Sequence, residues 1–292
     1  MIAARRMRRF FRRRDLVVFI SVAFIMVICL LPIVWAVSLS LKGKDELYKA
    51  VPTLLPRHPT LKNYRDVLGI AGVQRLPLNL LNSLKITVVA VILQVIMASM
   101  AGYAAARLNF RGRDTIFYTF IFLMFIPQAG GLMASYELMS FLHLRNTLIG
   151  LALYYPAGMS VAIFIMRQTY LAIPNELEEA AIIDGAGTWQ RFLHIGIPMG
   201  MAGMTVVGLF EFIYCWGEFL FALTMLDEDI LMPAAVAVAR LRVDALARSS
   251  GAFVPESMRA ASQVLTMLPV VAIFAGMQKW FVRGLTEGIL KL

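Results

Sequence analysis

A charged segment that contains several glycines lies between two long apolar runs and reads NELEEAAIIDGAGTWQRFLHIGIP from Asn175 to Pro198. Asn175 is a favourable N-cap, and Glu178 stands three residues further on, where a capping-box acid reaches back to the cap. Acids in a first turn also complement the positive end of a helix dipole, and Gly185 can supply a left-handed stop. The spacing predicts a helix, a glycine turn and a second short helix that starts at Thr188.

This predicted elbow offers the chemistry of docking and not that of bond formation. Ala180 and Ala181 would let another backbone approach closely, and the carboxylates of Glu179 and Asp184 would offer charge to a basic partner. The same residues also suit an elbow that lies on a membrane surface with its acids solvated. Residue chemistry alone leaves both interpretations open.

A second group of candidate residues lies inside an apolar run, where Glu211 and Glu218 are the only acids between Ile195 and Leu226. A charge within a membrane span costs roughly 2.5 to 3.5 kcal/mol on insertion scales, so such a residue is expected to face protein or water. The spacing of seven places both acids on one helix face. Tyr214 and Trp216 lie between them, and their rings can stack on sugar faces. These four residues are the candidates for a solute path, and packing of the rings within the protein is the alternative.

The other reactive side chains do not form a recognisable site. His58, His143 and His194 are scattered, with no cysteine or carboxylate spacing suited to a metal ion. Cys29 and Cys215 fall within apolar runs, where they are expected to be small core residues. The sequence contains no G-x-x-x-x-G-K-[ST] phosphate loop. We therefore expect no metal site and no catalytic residues, and ATP would be handled by another subunit.

An apolar composition determines the elements that position these residues. Of the 292 residues, 60% are hydrophobic and only 16% are charged, and the mean hydropathy is +0.73, outside the range of a soluble domain. A spanning helix needs roughly 20 apolar residues, and the apolar runs are too long and continuous for barrel strands. We predict an all-α polytopic membrane protein with six transmembrane helices, within Leu16 to Leu41, Ile86 to Ala106, Thr115 to Tyr136, Asn146 to Met166, Ile195 to Leu226 and Ala260 to Gln278.

Basic residues near the ends of the spans predict the orientation. Seven arginines lie between Arg5 and Arg14, and the short loop from Arg107 to Asp114 is also basic. Because Lys and Arg in short loops are retained in the cytoplasm, both termini and the elbow are expected there. The formal charge of +10 is then a topology signal attracted to anionic lipid, and no nucleic-acid binding is expected. A cleaved secretory signal is disfavoured, because the first apolar run is too long and no small-residue cleavage pattern ends it.

The predicted organisation is one membrane domain with an outer segment. Residues 1–15 form a basic cytoplasmic N-terminus, 16–41 the first transmembrane helix, 42–80 a periplasmic or extracellular segment, 81–283 a five-helix core with its cytoplasmic elbow at 172–194, and 284–292 a cytoplasmic tail. Within the outer segment, Leu61 to Leu68 can form a short helix.

The spacing within the elbow resembles a family motif. Glu179-Ala180-Ala181 is followed after three residues by Gly185, after nine more by Ile195, and then by Ile197-Pro198. This register resembles the EAA motif of permease subunits of binding-protein-dependent ABC importers, with Ile197 where Leu is common. Further segments resemble the carbohydrate-uptake branch, which includes the second permease of the maltose importer. They are NSLKIT from 82, GYAAARLNFRGR from 102, RNTLIGL from 145, IPNELEEAAIIDGAGTWQRF from 173 and FVRGLTEGILKL from 281.

The resemblance implies the type I ABC importer permease fold and a division of labour among subunits. The elbow would be a coupling helix seated on a cytoplasmic ATPase, and the coupling residues would be Glu178, Glu179, Ala180, Ala181, Asp184 and Gly185. The complex would also contain a second homologous permease, two copies of the ATPase subunit, which bind ATP and Mg, and an outer solute-binding protein. Its place would be the bacterial cytoplasmic (inner) membrane.

The same resemblance implies import of a di- or oligosaccharide by alternating access. The stretch from Cys215 to Phe219 looks like a solute-path segment of sugar permeases, with Gly217 replacing the commoner Asn. A glycerol phosphate derivative or another small polar solute is the alternative cargo. An ion-coupled secondary transporter is a further alternative, but its expected repeat halves and broken helices with ion ligands are not evident in the sequence.

Overall fold

The computed structural model describes residues 13–47, 53–69, 75–126, 131–247 and 256–289, without the side chains of 13–15, 44, 242–247 and 279–289. All regular secondary structure in these ranges is helical, which confirms the predicted all-α class. The side chains of the arginines predicted to orient the N-terminus, and those of the predicted tail, lie outside the described residues.

The chain divides into two compact units. The first comprises residues 1–75 and 241–265, and the second comprises 76–240 and 266–292. The first unit contains α1 (Arg13–Ser40), α2 (Lys44–Leu47) and α3 (Lys62–Val67). Since α3 lies within Leu61 to Leu68, the short helix predicted there is present.

In the first unit, a buried asparagine holds the turn that follows α1. Asn63 Nδ2 donates to the backbone oxygens of Ser40 and Lys42 at 2.8 and 2.9 Å, and its Oδ1 accepts from the Ser257 hydroxyl at 3.1 Å. Nearby, the N–H of Arg57 donates to Glu46 Oε1 at 2.8 Å, which lowers the pKa of the Glu46 carboxyl. Specific polar contacts therefore hold α3 and described residues before it in the segment that is predicted to lie outside.

The second unit contains the elements that position the candidate site. They are α4 (Leu76–Arg107), α5 (Arg113–Leu123), α6 (Leu132–Phe141), α7 (Leu148–Tyr154), α8 (Ser160–Leu171), α9 (Asn175–Ile183), α10 (Thr188–Arg191), α11 (Ile197–Gly217) and α12 (Leu220–Met225). Two further helices, α13 (Ala234–Ala247) and α14 (Glu256–Ile289), have residues in both units.

Among the described residues, four helical segments are long and apolar enough to span a bilayer: Leu16–Ser40, Leu76–Arg107, Thr188–Gly217 and Glu256–Gln278. The pair Leu148–Gly158 and Ser160–Leu171, bent by 55°, would form a fifth span if it crosses as one. The predicted count of six is not confirmed. In the run from Thr115 to Tyr136, α5 has only 11 residues and ends at Leu123, about half of the length that a span requires.

The central helix of the second unit is α4, which packs against both α8 and α11. A Cβ atom added at Gly102 would lie 2.5 Å from Met166 Cβ, and one added at Gly203 would lie 2.3 Å from Thr169 Oγ1. Only a residue without a side chain allows such close helix crossings, which are typical of small residues in membrane helices. These glycines allow α4 and α11 to pack closely against α8. The elbow follows α8 in the chain.

Candidate functional site

The elbow begins with α9, whose first helical residue is Asn175. Pro174 occupies the N-cap position, and no side chain caps the helix. The predicted capping box between Asn175 and Glu178 is therefore wrong. Asn175 Oδ1 accepts instead from Arg107 Nη1. The Glu178 carboxylate turns inward, because a hydrogen bond from the guanidinium group of Arg191 is stronger than one from a neutral backbone N–H.

The predicted glycine turn and second helix are both present. Gly185 follows α9 with a φ of +81°, a left-handed conformation that favours a residue without Cβ. The N–H of Gly187 donates to Gln190 Oε1 at 2.9 Å as α10 begins at Thr188. A π turn, Phe192–Gly196, then joins α10 to α11. The elbow is thus continuous with a candidate membrane span.

Glu178 is the centre of a buried hydrogen-bond network, and only 6% of its surface is exposed. Its oxygens accept from the Tyr103 hydroxyl at 2.9 and 3.1 Å, and Oε2 also accepts from Arg191 Nη1 at 2.8 Å. Arg107 Nε lies 4.0 Å from Oε1. A single carboxylate on α9 therefore holds groups from α4 and α10, and its loss would leave the charges of Arg107 and Arg191 without this partner in the interior.

Arg107, the last residue of α4, extends this network to the approach to the elbow. Its Nη2 donates to the backbone oxygen of Tyr170 at 2.6 Å and to that of Ile173, so the end of α8 is tied to α4. Sequence reasoning missed Tyr103 and Arg107 as partners of the elbow. Their spacing of four, which places both on one face of α4, is the one signal that the sequence offers.

The opposite side of the elbow is exposed and carries four of the predicted coupling residues: Glu179, Ala180, Asp184 and Gly185. Apolar side chains stand among them, with Ile182, Ile183 and Trp189 exposed by 54, 86 and 58%. A recess of about 360 Å³ beside them is lined by residues that include Ala181, Asp184, Gly185 and His194. Exposed apolar groups gathered with acids around a recess are typical of a docking surface.

The two acids predicted on the solute path have different partners. α11 ends at Gly217, and Glu218 is its C-cap residue, with a φ of −67° and an extended ψ of 131°. Because ψ turns the chain only after this residue, the spacing of seven still places both acids on one face of α11. Glu218 accepts from the N–H groups of Phe221 and Ala222 at 2.7 and 3.0 Å and from the Tyr155 hydroxyl at 3.0 Å. Its carboxylate therefore satisfies the free N–H groups at the start of α12.

Trp216 is turned into the packed interior of the second unit. The side chain is buried, its Nε1 donates to the backbone oxygen of Thr266 at 3.0 Å, and its ring stacks on Phe212 with centroids 5.4 Å apart. A buried indole with its N–H satisfied and its face covered is an ordinary packing arrangement. The geometry favours the packing interpretation of this residue.

Glu211 and Tyr214 line a common cavity of about 210 Å³. Glu211 is 6% exposed, and its Oε1 accepts from the Cys215 thiol at 3.2 Å. Gln94 of α4, 5% exposed, lines the same cavity. Sequence reasoning missed Gln94, although an amide within a long apolar run is itself a signal of a polar environment.

At the other end of α4, asparagines tether the segment that precedes α13. Asn79 and Asn82 donate to backbone oxygens within residues 230–232, each at 2.8 Å. Asn146 has a φ of +56°, and its Oδ1 accepts from the N–H of Asp227 at 3.0 Å. The segments NSLKIT and RNTLIGL, which carry part of the sequence resemblance, thus hold the loop before α13 in place.

Known proteins resemble this chain over nearly its whole length. The family model described as binding-protein-dependent transport system inner membrane component matches residues 1–287. The galactooligosaccharides transport system permease protein of Bacillus subtilis is 30% identical over 291 residues, 99% of each chain. The trehalose transport system permease protein of Mycobacterium tuberculosis is 29% identical over 263 residues, 90% of this chain and 92% of that protein.

A solved structure has the same fold. It is a chain of a bacterial ABC transporter involved in the import of the acidic polysaccharide alginate, and it matches with a TM-score of 0.79. The match covers 93% of this chain and 99% of that chain at 24% sequence identity. The two chains therefore share the order and packing of their helices, although their sequences are only 24% identical.

Proposed function

The chain belongs to the family of binding-protein-dependent transport system inner membrane components, and from that premise we propose that it is the sugar-conducting permease subunit of an ATP-driven importer. Such a permease works in the inner membrane with an ATPase and a solute-binding protein. The chain itself is a transport subunit and not an enzyme.

The geometry of the elbow is the observation that carries the coupling step. Its exposed side presents Ile183, Glu179 and Asp184 to a soluble partner, while its buried side is fixed to α4 through Glu178. A partner that moves the exposed side would therefore move α4 through the buried network and α11 through the continuous chain. Coupling contacts by Glu179, Ala180, Ala181, Asp184 and Gly185 are part of this proposal, with Glu178 acting from inside.

The proposed complex contains this chain, a second homologous permease, two copies of the ATPase subunit and the outer binding protein. ATP and Mg would be held by the ATPase subunits. Both termini would lie in the cytoplasm on the side of the elbow. Exposed apolar side chains along α1 and α4, among them Ile20, Ile92 and Ile96, supply surface for lipid or for the second permease.

The proposed cargo is a neutral di- or oligosaccharide. The names of the two relatives refer to sugar transport. The cavity adds a physical argument, because Gln94 and Glu211 supply hydrogen-bonding groups and Tyr214, which is 41% exposed, offers a ring on which a sugar can stack. A glycerol phosphate derivative is the less favoured cargo, because none of the described residues that line the cavity is a Lys or Arg that could pair with a phosphate.

The test is uptake by the whole complex reconstituted in liposomes. The assay supplies the binding protein outside, ATP inside, and a galactooligosaccharide, trehalose or sn-glycerol 3-phosphate as labelled solute. We expect uptake of a sugar that requires ATP, stops with vanadate and continues after ionophores remove ion gradients. Uptake that follows an ion gradient without ATP would contradict the proposal, and preferential uptake of sn-glycerol 3-phosphate would contradict its sugar part.

A charge reversal on the elbow tests the coupling assignment separately. Glu179→Lys should abolish uptake and weaken association with the ATPase while the permease still inserts. Glu176→Lys is the matched control, because Glu176 is also exposed on α9 but lies outside the predicted coupling set. Normal uptake by Glu179→Lys, or equal loss in both variants, would show that docking does not depend on this carboxylate.

A further inference from the structure

The cavity that Glu211 lines has a polar part and an apolar part. It lies among α4, the turn Tyr155–Gly158, α8 and α11, and it measures about 210 Å³. The amide of Gln94 and the carboxylate of Glu211 supply polar groups, while Ile165, Val207 and Phe210 are among the apolar residues that surround them. A solute that enters must therefore offer both polar groups and apolar surface.

The two polar side chains have unused hydrogen-bonding capacity. Within the described ranges, Gln94 Oε1 has no hydrogen-bond partner although the residue is 5% exposed. The described hydrogen bond of Glu211 comes from the Cys215 thiol, a weak donor, at 3.2 Å. Buried amides and carboxylates are normally satisfied, so an arrangement of this kind suits a ligand that supplies the missing donors and acceptors.

The cavity adjoins a larger recess. That recess, of about 1040 Å³, shares Tyr155, Gly158, Val161 and Tyr214 with it. The rings of Tyr155 and Tyr214 meet edge to face, with centroids 5.9 Å apart, and the Tyr155 hydroxyl is held by Glu218 at 3.0 Å. A solute in the recess would thus lie next to the cavity and beside two ordered aromatic rings.

We propose that this cavity binds hydroxyl groups of the transported sugar, with Gln94 and Glu211 as the hydrogen-bonding residues. A sugar hydroxyl both donates and accepts, so it satisfies the carboxylate and the amide together. The apolar C–H face of the same ring would lie against the tyrosines. This inference rests on the proposed sugar import, and it gives this subunit a direct contact with the solute. Water offers the same hydroxyl chemistry, so the experiment has to separate the two sources.

The experiment compares a transported sugar with its monodeoxy analogues in liposomes that contain the whole importer. The parent is whichever of trehalose and the galactooligosaccharide the wild-type complex imports. We expect at least one analogue to be transported about tenfold less efficiently, because a site built to bind a hydroxyl rejects a solute that lacks it. Gln94→Leu should lower kcat/KM for the parent about tenfold and leave that analogue unchanged. Glu211→Gln should reduce the ratio of kcat/KM between the parent sugar and the analogue that lacks the hydroxyl group which donates to this carboxylate.

Thr87→Val is the matched control. Thr87 also lies on α4 and is buried, and its hydroxyl has no hydrogen-bond partner in the part of the chain that the structure describes, but it does not line this cavity. Its variant should transport the parent sugar as the wild type does. ATPase activity stimulated by the binding protein verifies assembly of each complex, and Gln94→Met, which keeps the volume of glutamine, replaces Gln94→Leu if the latter does not assemble.

Three outcomes would overturn the inference. Equal slowing of the parent and all analogues by Gln94→Leu would assign the cavity to water or packing. Unchanged kcat/KM and discrimination in the Gln94 and Glu211 variants, with a transporting wild type, would refute the solute contact alone. A wild-type complex that imports neither sugar with ATP would overturn the proposed function together with this inference.

Discussion

Replacing Glu178 with alanine should loosen the elbow while its exposed face stays chemically unchanged. The carboxylate accepts from Tyr103 and Arg191 and lies 4.0 Å from Arg107. Alanine would leave a hydroxyl and two guanidinium groups without this acceptor. Because α4 and α10 are joined to α9 through it, the expected effect is local opening of α9 and not a change in the docking residues.

The magnitude follows from burial. The side chains of Glu178 and Arg191 are 8 and 14% exposed, so the cost of breaking a buried pair applies, about 3 to 5 kcal/mol, and not the value below about 1 kcal/mol of an exposed pair. Tyr103→Phe removes one donor to a charged acceptor and should cost about 1.5 to 3 kcal/mol. The double variant should lose less than the sum, because both changes remove the same hydrogen bond.

Hydrogen exchange of the α9 amides in the assembled complex measures this opening. A loss of about 3 to 5 kcal/mol corresponds to exchange faster by about two to four orders of magnitude, as long as opening remains local. Glu176→Ala is the matched control, since this exposed carboxylate of α9 lies outside the predicted coupling set and should change stability by no more than about 0.5 kcal/mol. In the same complex, uptake per ATP hydrolysed should fall in Glu178→Ala.

Two results would refute the reasoning. If the α9 amides of Glu178→Ala exchanged within about threefold of the wild type, the network around Glu178 would not be what holds the elbow in place. Equal acceleration in Glu178→Ala and Glu176→Ala would have the same meaning, because burial of the carboxylate could then not be the cause of the opening.

Three further predictions concern backbone strain, helix packing and pH. Gly185→Ala should destabilise the elbow by about 1 to 2 kcal/mol in thermal unfolding, because alanine is strained at a φ of +81° although the added Cβ would meet no neighbouring atom. Gly185→Asn should cost less, because asparagine adopts the left-handed conformation more readily. Gly102→Ala should cost about 1 to 3 kcal/mol, because its Cβ would overlap Met166, whereas Gly276→Ala, with open space around it, should not lower the melting temperature. The lowered pKa of Glu46 shows that the folded segment favours the ionised carboxylate, which therefore stabilises this segment at pH values above 4.5, the ordinary pKa of Glu. Protection of the segment from acid-stable proteases should fall as the pH drops below 4.5. Glu46→Gln should remove this pH dependence, and an unchanged acid profile in that variant would contradict the assignment.

Local chemistry made parts of the site predictable. Gly185 could be predicted as a left-handed turn, and Thr188 as the start of a second helix, because both depend on residues within one or two turns of the chain. The register from Glu179 to Pro198 also identified the family without any contact information. The capping box at Asn175 failed for the opposite reason, since the competing partner, Arg107, is distant in the sequence.

The intramembrane candidates have different roles for a similar reason. Glu211 and Glu218 share one face of α11, but Glu218 is the C-cap residue and accepts from N–H groups of α12, whereas Glu211 lies within α11. Trp216 donates to the backbone oxygen of Thr266 and stacks on Phe212 in the interior, whereas Glu211 lines a cavity. Composition cannot distinguish these environments, because each depends on which helix packs alongside.

The sequence by itself determined the class of the protein, the elbow and the family, because apolar length, glycine conformation and motif register are properties of the chain alone. Only the tertiary structure decided the roles of individual polar residues. It buried Glu178 between two arginines, assigned Glu218 to the start of α12 and placed Gln94 beside Glu211. The physical reason is that the energy of a polar side chain within a membrane depends on its partners, and those partners come from helices far away in the sequence.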